Sequence, residues 1–81
     1  MKKTKKSKPK ERKTPLQEIF GNLIRARRSS MGLTQEKLAE KADMHFTYIS
    51  STERGERNIS LSNIKKLADA LECSMKDIMP H

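Results

Sequence analysis

From Pro15 onward, apolar residues return every three or four positions in short blocks, and most blocks open on a residue able to cap a helix. Leu16, Phe20, Leu23 and Ile24 form the first stripe; Leu38, Ala39 and Ala42 another; Leu61, Ile64, Leu67, Ala68 and Leu71 the longest. Spacing near the helical period buries one side of a helix, whereas a half-buried strand needs strict alternation. Leu, Ile, Ala and Met supply most of the apolar content, and aromatic residues make up only 4%, with no Trp. That composition suits packed short helices and gives little support to extended β-structure or a large aromatic ligand pocket. The expected fold class is all-α. A chain of 81 residues has room for one domain, whose core is marginal, so every helix must contribute to it.

The helix boundaries follow from the punctuation. Thr14 caps a first helix, Pro15 suits its first position and Gln17 completes a capping box; this helix runs to about Ser30 and is ended by Gly32. Thr34 caps a second, Gln35 to Lys41 or Ala42. A short turn, Ala42-Asp43-Met44, leads to a third, about His45 to Arg54, stopped by Gly55. Glu56 to Ile59 form a loop, and Ser60 caps a fourth helix. Ser74 and Asp77 form an approximate cap for a last short helix carrying Met75, Ile78 and Met79. The expectation is thus five short helices, without repeats.

Charge divides the chain. Residues 1–13 contain no Leu, Ile, Val or Phe, and hold eight basic side chains (Lys2, Lys3, Lys5, Lys6, Lys8, Lys10, Arg12, Lys13) against one acid, Glu11. Residues 14–81 carry ten basic and nine acidic residues, so the formal net charge of +8 belongs almost wholly to the first segment. Residues 1–13 are expected to be a disordered basic tail, either a solubilising appendage or an arm that adds phosphate contacts; a nuclear-localisation reading is weak. Residues 14–81 are expected to form the folded domain.

A helix-turn-helix over residues 35–54 has specific requirements. A small residue must stand where its second helix crosses the first, and Ala39 supplies it. The turn needs a residue tolerant of left-handed backbone; Asp43 is acceptable and Gly would be better. Met44 and Ile49 must point back at the preceding helix, with Thr52 a weaker third. Gly32-Leu33-Thr34-Gln35-Glu36-Lys37-Leu38-Ala39, then Tyr48-Ile49-Ser50, then Glu53-Arg54-Gly55 resembles the lambda-repressor-like, Cro and XRE-type transcriptional regulators over roughly residues 16–79. Within that group, Thr47-Tyr48-Ile49-Ser50 with Arg57-Asn58 looks most like the controller proteins of restriction-modification systems.

The resemblance implies a compact five-helix DNA-binding domain and assigns roles by position. Gln35 matches the residue at the second helix's start that holds a phosphate, against the bland reading of an unpartnered surface glutamine. His45, Phe46, Thr47 and Ser51 match positions that face base edges. Residues 47 and 51 share one side of a helix, and Phe46 is able to touch a thymine methyl or to pack on the surface or a partner chain. His45 has three open roles: base, phosphate or helix cap. No Arg, Asn or Gln occupies these inner positions, so specificity leans on phosphate fit, DNA shape, or Arg54, Arg57 and Asn58 in the following segment, which with Gln35 are the expected phosphate contacts. Arg28 and Glu53 match a partly buried salt bridge that ties the first helix to the recognition helix.

Other chemistry is poorly represented. His45 and His81 are far apart in sequence, Cys73 has neither a second thiol nor a spaced histidine, and there is no glycine-rich phosphate loop. No catalysis, metal or cofactor is expected. The single cysteine fits a reducing compartment, and no apolar run is long enough for a membrane span, so a cytoplasmic protein is expected. The expected partners are double-stranded DNA and a second copy of the chain, joined through the C-terminal helices and especially Met75, Ile78 and Met79, because two recognition helices about 34 Å apart read an inverted repeat. Two rivals are an antitoxin-like protein-interaction module and a sequence-neutral nucleic-acid binder driven by the lysine-rich segment.

Overall fold

The computed structural model describes residues 14–80. Four α-helices follow one another: α1 (Pro15–Ser30), α2 (Gln35–Ala42), α3 (Phe46–Glu53) and α4 (Leu61–Ala70). The expected basic tail, residues 1–13, lies outside the described residues.

The fifth helix is corrected. Met75–Ile78 is a single turn of 3-10 helix, closed by i to i+3 bonds such as Asp77 N–H to the Ser74 carbonyl, 3.0 Å. Glu72, with φ of +58°, ends α4 just upstream, and Pro80 follows two residues beyond the turn, so only one turn fits between them. The cap itself forms as expected: the Asp77 carboxylate accepts from both the Ser74 N–H and the Ser74 hydroxyl at 3.1 Å. Those bonds hold the Asp77 carboxyl below its usual range.

Local chemistry sets the other boundaries. Thr14 and Gln17 exchange side-chain to backbone bonds of 3.1 and 3.0 Å, a complete capping box. The hydroxyls of Thr34 and Ser60 accept from the N–H groups of Lys37 and Asn63 at 3.0 and 3.2 Å. At the C-terminal ends one device recurs. Gly32, Asp43, Gly55 and Glu72 each take a positive φ. The next residue's N–H then reaches back five positions: Leu33 to Arg28, Met44 to Ala39, Glu56 to Ser51 and Cys73 to Ala68, at 2.9–3.1 Å. This is the Schellman arrangement, which satisfies helix-end carbonyls and turns the chain sharply. At Asp43 it makes the tight angle between α2 and α3.

Left-handed backbone is strained for Glu72, which carries a Cβ and lacks the local hydrogen bonding of Asp or Asn. Its carboxylate meets Lys41 only at 3.8 Å on the surface, a weak attachment. Glu72→Gly is therefore expected to stabilise the fold by about 1 kcal/mol, raising the thermal midpoint by roughly 4–8 °C in a domain of this size. A midpoint that falls in a calorimetric scan would contradict the strain argument.

The core draws on every element. Phe20 and Ile24 of α1, Leu38, Ala39 and Ala42 of α2, Ile49 of α3, Ile64, Leu67, Ala68 and Ala70 of α4, Leu71 and Ile78 form one cluster, with Met31, Met44, Ile59, Cys73, Met75 and Met79 packed around it. Leu16 departs from expectation: it is 63% exposed, and Gly21 takes the inward position on α1 instead. There α1 and α3 touch, for a Cβ added at Gly21 would lie 2.6 Å from the Thr52 carbonyl oxygen and 2.7 Å from that of Glu53. No helix among the described residues is long and apolar enough to cross a membrane.

Candidate DNA interface

The inner side of α3 is fixed first. Ile49 is fully buried and Thr52 nearly so, and Ala39 is buried on α2 as the helix crossing requires. Beneath the end of α3 the Glu53 side chain is completely buried. Its carboxylate accepts from Arg28 at two points, Nε at 2.6 Å and a terminal nitrogen at 3.0 Å, from the Gln35 amide at 2.9 Å, and meets Arg25 at 3.7 Å. Arg28 also donates to the Leu33 carbonyl at 2.8 Å. The hydrogen bonds to Glu53 push the Arg28 guanidinium above its ordinary pKa. The expected Arg28–Glu53 pair is present, and this forked geometry is the strong form of an ion pair. One group thus binds α1, α2 and α3 together.

With its inner side anchored, α3 turns its first turn outward. His45, Phe46 and Thr47 are exposed, Phe46 by 41%. His45 takes the cap among its three open roles: Nδ1 accepts the Thr47 N–H at 3.2 Å. An accepting Nδ1 places the ring proton on Nε2, as a donor on the exposed side. The Thr47 hydroxyl bonds to no other group among the described residues, so it is free to donate or accept.

Two expected contacts are relocated. Ser51 is only 7% exposed and does not belong to the outer face. Its hydroxyl bonds back to the carbonyls of Thr47 and Tyr48 at 3.0 and 3.2 Å and accepts from Arg57 Nε at 2.8 Å. Helical periodicity correctly puts residue 51 above residue 47, but the incoming Arg57 covers it. Gln35 is half-buried, and its amide N–H points to Glu53 rather than outward. The Gln35 side chain is therefore engaged inside the protein rather than offered at the start of α2.

The segment after α3 presents two arginines in different states. Arg54 faces Glu56 through Nε at 3.1 Å and a terminal nitrogen at 3.0 Å, and donates to the Ser50 hydroxyl at 2.6 Å. Its charge is offset, and Glu56 raises its pKa through those bonds. Arg57 instead lies over the Tyr48 ring, 4.9 Å from the centroid, with Nε on Ser51. Both partners are neutral. Asn58 is exposed next to it. Tyr48 and Asn63, whose amide donates to the Tyr48 hydroxyl at 3.2 Å, were not among the expected site residues. No local pattern marks them, because their roles depend on where Arg57 returns.

The outcome is a short helix propped by its neighbours, an exposed N-terminal edge of mixed hydrogen-bonding and apolar character, and a cation held beside it. Comparison with known proteins agrees. The family model HTH_3, helix-turn-helix, matches residues 24–78. The control protein C.BamHI of Bacillus amyloliquefaciens is 48% identical over 62 residues, spanning 75% of this chain and 76% of that protein. Among solved structures, the restriction-modification controller protein C.AhdI from Aeromonas hydrophila superposes with a TM-score of 0.75 at 40% identity, over 76% of this chain and 94% of that one. C.Esp1396I, solved as a nucleoprotein complex, gives a TM-score of 0.71 at 32% identity, over 84% of this chain and 99% of that one. The chain belongs to the helix-turn-helix family of DNA-binding transcriptional regulators, as a relative of the restriction-modification control proteins.

Proposed function

We propose that the protein regulates transcription in the cytoplasm as a homodimer on a short inverted repeat, in the manner its control-protein relatives suggest. The observation that carries this reading is the exposed first turn of α3, standing on a buried ionic anchor. His45 Nε2, the Phe46 ring and the Thr47 hydroxyl meet base edges, Phe46 against a thymine methyl. Arg57 meets the phosphate backbone, flanked by Asn58 and by Arg54, and the N-terminus of α2 adds N–H groups to another phosphate. The solved nucleoprotein complex of C.Esp1396I supports the partner class. Ile78 is fully buried in the core and leaves the set of residues assigned to the dimer contact; Met75 and Met79, half-buried, remain, and Leu61 of α4, expected in the buried stripe but 69% exposed, joins them.

Selection of bound sequences from a random duplex pool tests the proposal. A consensus with two inverted half-sites about one helical turn apart is expected, and recovery of no preferred sequence would overturn it in favour of a sequence-neutral binder. On the recovered duplex, Thr47→Ala is expected to relax discrimination at one position of each half-site by about 1–3 kcal/mol. Arg57→Ala should instead weaken binding across sequences and flatten the slope of log affinity against log salt by about one unit per lost phosphate contact.

A further inference from the structure

We infer that Ser51 and Tyr48 are positioning residues for Arg57, which fix its guanidinium before DNA arrives. The inference rests on the assignment of Arg57 to the DNA backbone made above, and concerns how that contact is prepared.

An arginine on an exposed segment ordinarily samples many rotamers, and ordering it on a ligand weakens binding. Here two restraints act on one side chain. Ser51 accepts from Nε at 2.8 Å, and the Arg57 Cζ lies over the Tyr48 ring, 4.9 Å from its centroid. Neither support is loose. The Ser51 hydroxyl hydrogen is directed at the α3 carbonyls of Thr47 and Tyr48, so its lone pair faces Arg57, and the residue is 7% exposed. The Tyr48 hydroxyl accepts from Asn63 of α4 at 3.2 Å, which holds the ring to a second helix. The terminal N–H groups of Arg57 stay available, and neither support carries a charge to compensate the cation. Arg54, only three residues earlier, is the internal contrast: its fork closes on Glu56 at 3.0 and 3.1 Å. Of the two arginines, Arg57 is both charged toward solvent and oriented.

The test is a double-mutant cycle measured by fluorescence anisotropy on a labelled duplex carrying the selected consensus. Ser51→Ala is expected to fold normally, because Ala favours helix, and to bind roughly three- to tenfold more weakly, the effect of ordering one long side chain at binding. Arg57→Ala should bind more weakly still, and adding Ser51→Ala to it should change affinity less than about twofold, since a positioning residue has nothing left to position. The salt slope separates the roles: it flattens by about one in Arg57→Ala and stays unchanged in Ser51→Ala. Tyr48→Leu provides a second arm with the same expected pattern. In the free protein, the Arg57 Nε–H resonance should be resolved from the exposed-arginine position and return to it in Ser51→Ala. Multiplicative losses in the double variant, or wild-type affinity in Ser51→Ala, would overturn the inference. Should the wild type select no consensus, the proposed operator falls separately, and the same cycle on a random-sequence duplex decides the positioning role by the same criterion.

Discussion

Glu53→Ala is expected to cost about 3–5 kcal/mol of folding free energy and to lower the thermal midpoint by roughly 15 °C or more. The reason is what the substitution leaves behind. The Arg28 side chain is only 14% exposed, and without the carboxylate its two forked donors lose their charged acceptor. The Gln35 amide loses its acceptor at the same time. A small domain has total stability of order 5–15 kcal/mol, so this loss removes a large share of it. Arg28→Ala is expected to be comparably damaging, because it leaves a fully buried carboxylate with only the neutral Gln35 amide at 2.9 Å and the distant charge of Arg25 at 3.7 Å. Replacing both residues with apolar side chains of similar volume should recover most of the loss, as buried pairs are weakly stabilising compared with good packing. The measurement is a set of denaturant unfolding curves for the two single variants and the double. Single variants within 1 kcal/mol of the wild type would show that the group is not the anchor argued here. DNA binding should follow stability in the singles and return in the double only if the apolar pair restores the tilt of α3.

That anchor marks the division between what was legible in sequence and what was not. The resemblance implied the Arg28–Glu53 pair, and capping chemistry is local enough to be read directly: Thr14 with Gln17, Thr34, Ser60, and Ser74 with Asp77 all perform as expected. The left-handed turn at Asp43 was equally accessible. Periodicity went astray where a distant segment returns. It placed Ser51 beside Thr47 on the outer face, but the chain leaves α3 through Gly55 and folds back so that Arg57 covers the hydroxyl. It placed Leu16 inward, but α1 begins before the core does, and Leu16 is 63% exposed. Gln35 followed its position in the family outward, whereas a buried carboxylate drew the amide in. Ile78 looked surplus to one helix and so was assigned to a partner; the core of this small domain consumes it whole. In each case the outcome is decided by residues beyond the helix concerned, and no window of one helix contains it.

Gly21 is the most complete example, and its replacement has the other large expected effect. Within a helix, Gly→Ala normally stabilises by about 1 kcal/mol through reduced unfolded-state freedom. At residue 21 the sign should reverse. The added methyl would lie 2.6 Å from the Thr52 oxygen and 2.7 Å from the Glu53 oxygen, both backbone atoms of α3 that no rotamer change can move. Relief requires α1 and α3 to separate, and overpacking of this kind costs about 1–3 kcal/mol or more. Separation also pulls on the Arg28 bonds, because Arg28 sits on α1 and Glu53 ends α3, and it tilts the helix proposed to enter the groove. Gly21→Ala is therefore expected to destabilise by about 2–3 kcal/mol and to reduce specific DNA affinity by more than the unfolded fraction accounts for. Asn22→Ala is the control: one residue along the same helix and exposed, it should be neutral or slightly stabilising. If the two alanine variants unfold at the same denaturant concentration, α1 and α3 are not in backbone contact at Gly21, and the rigid seat proposed for the recognition helix is lost with it.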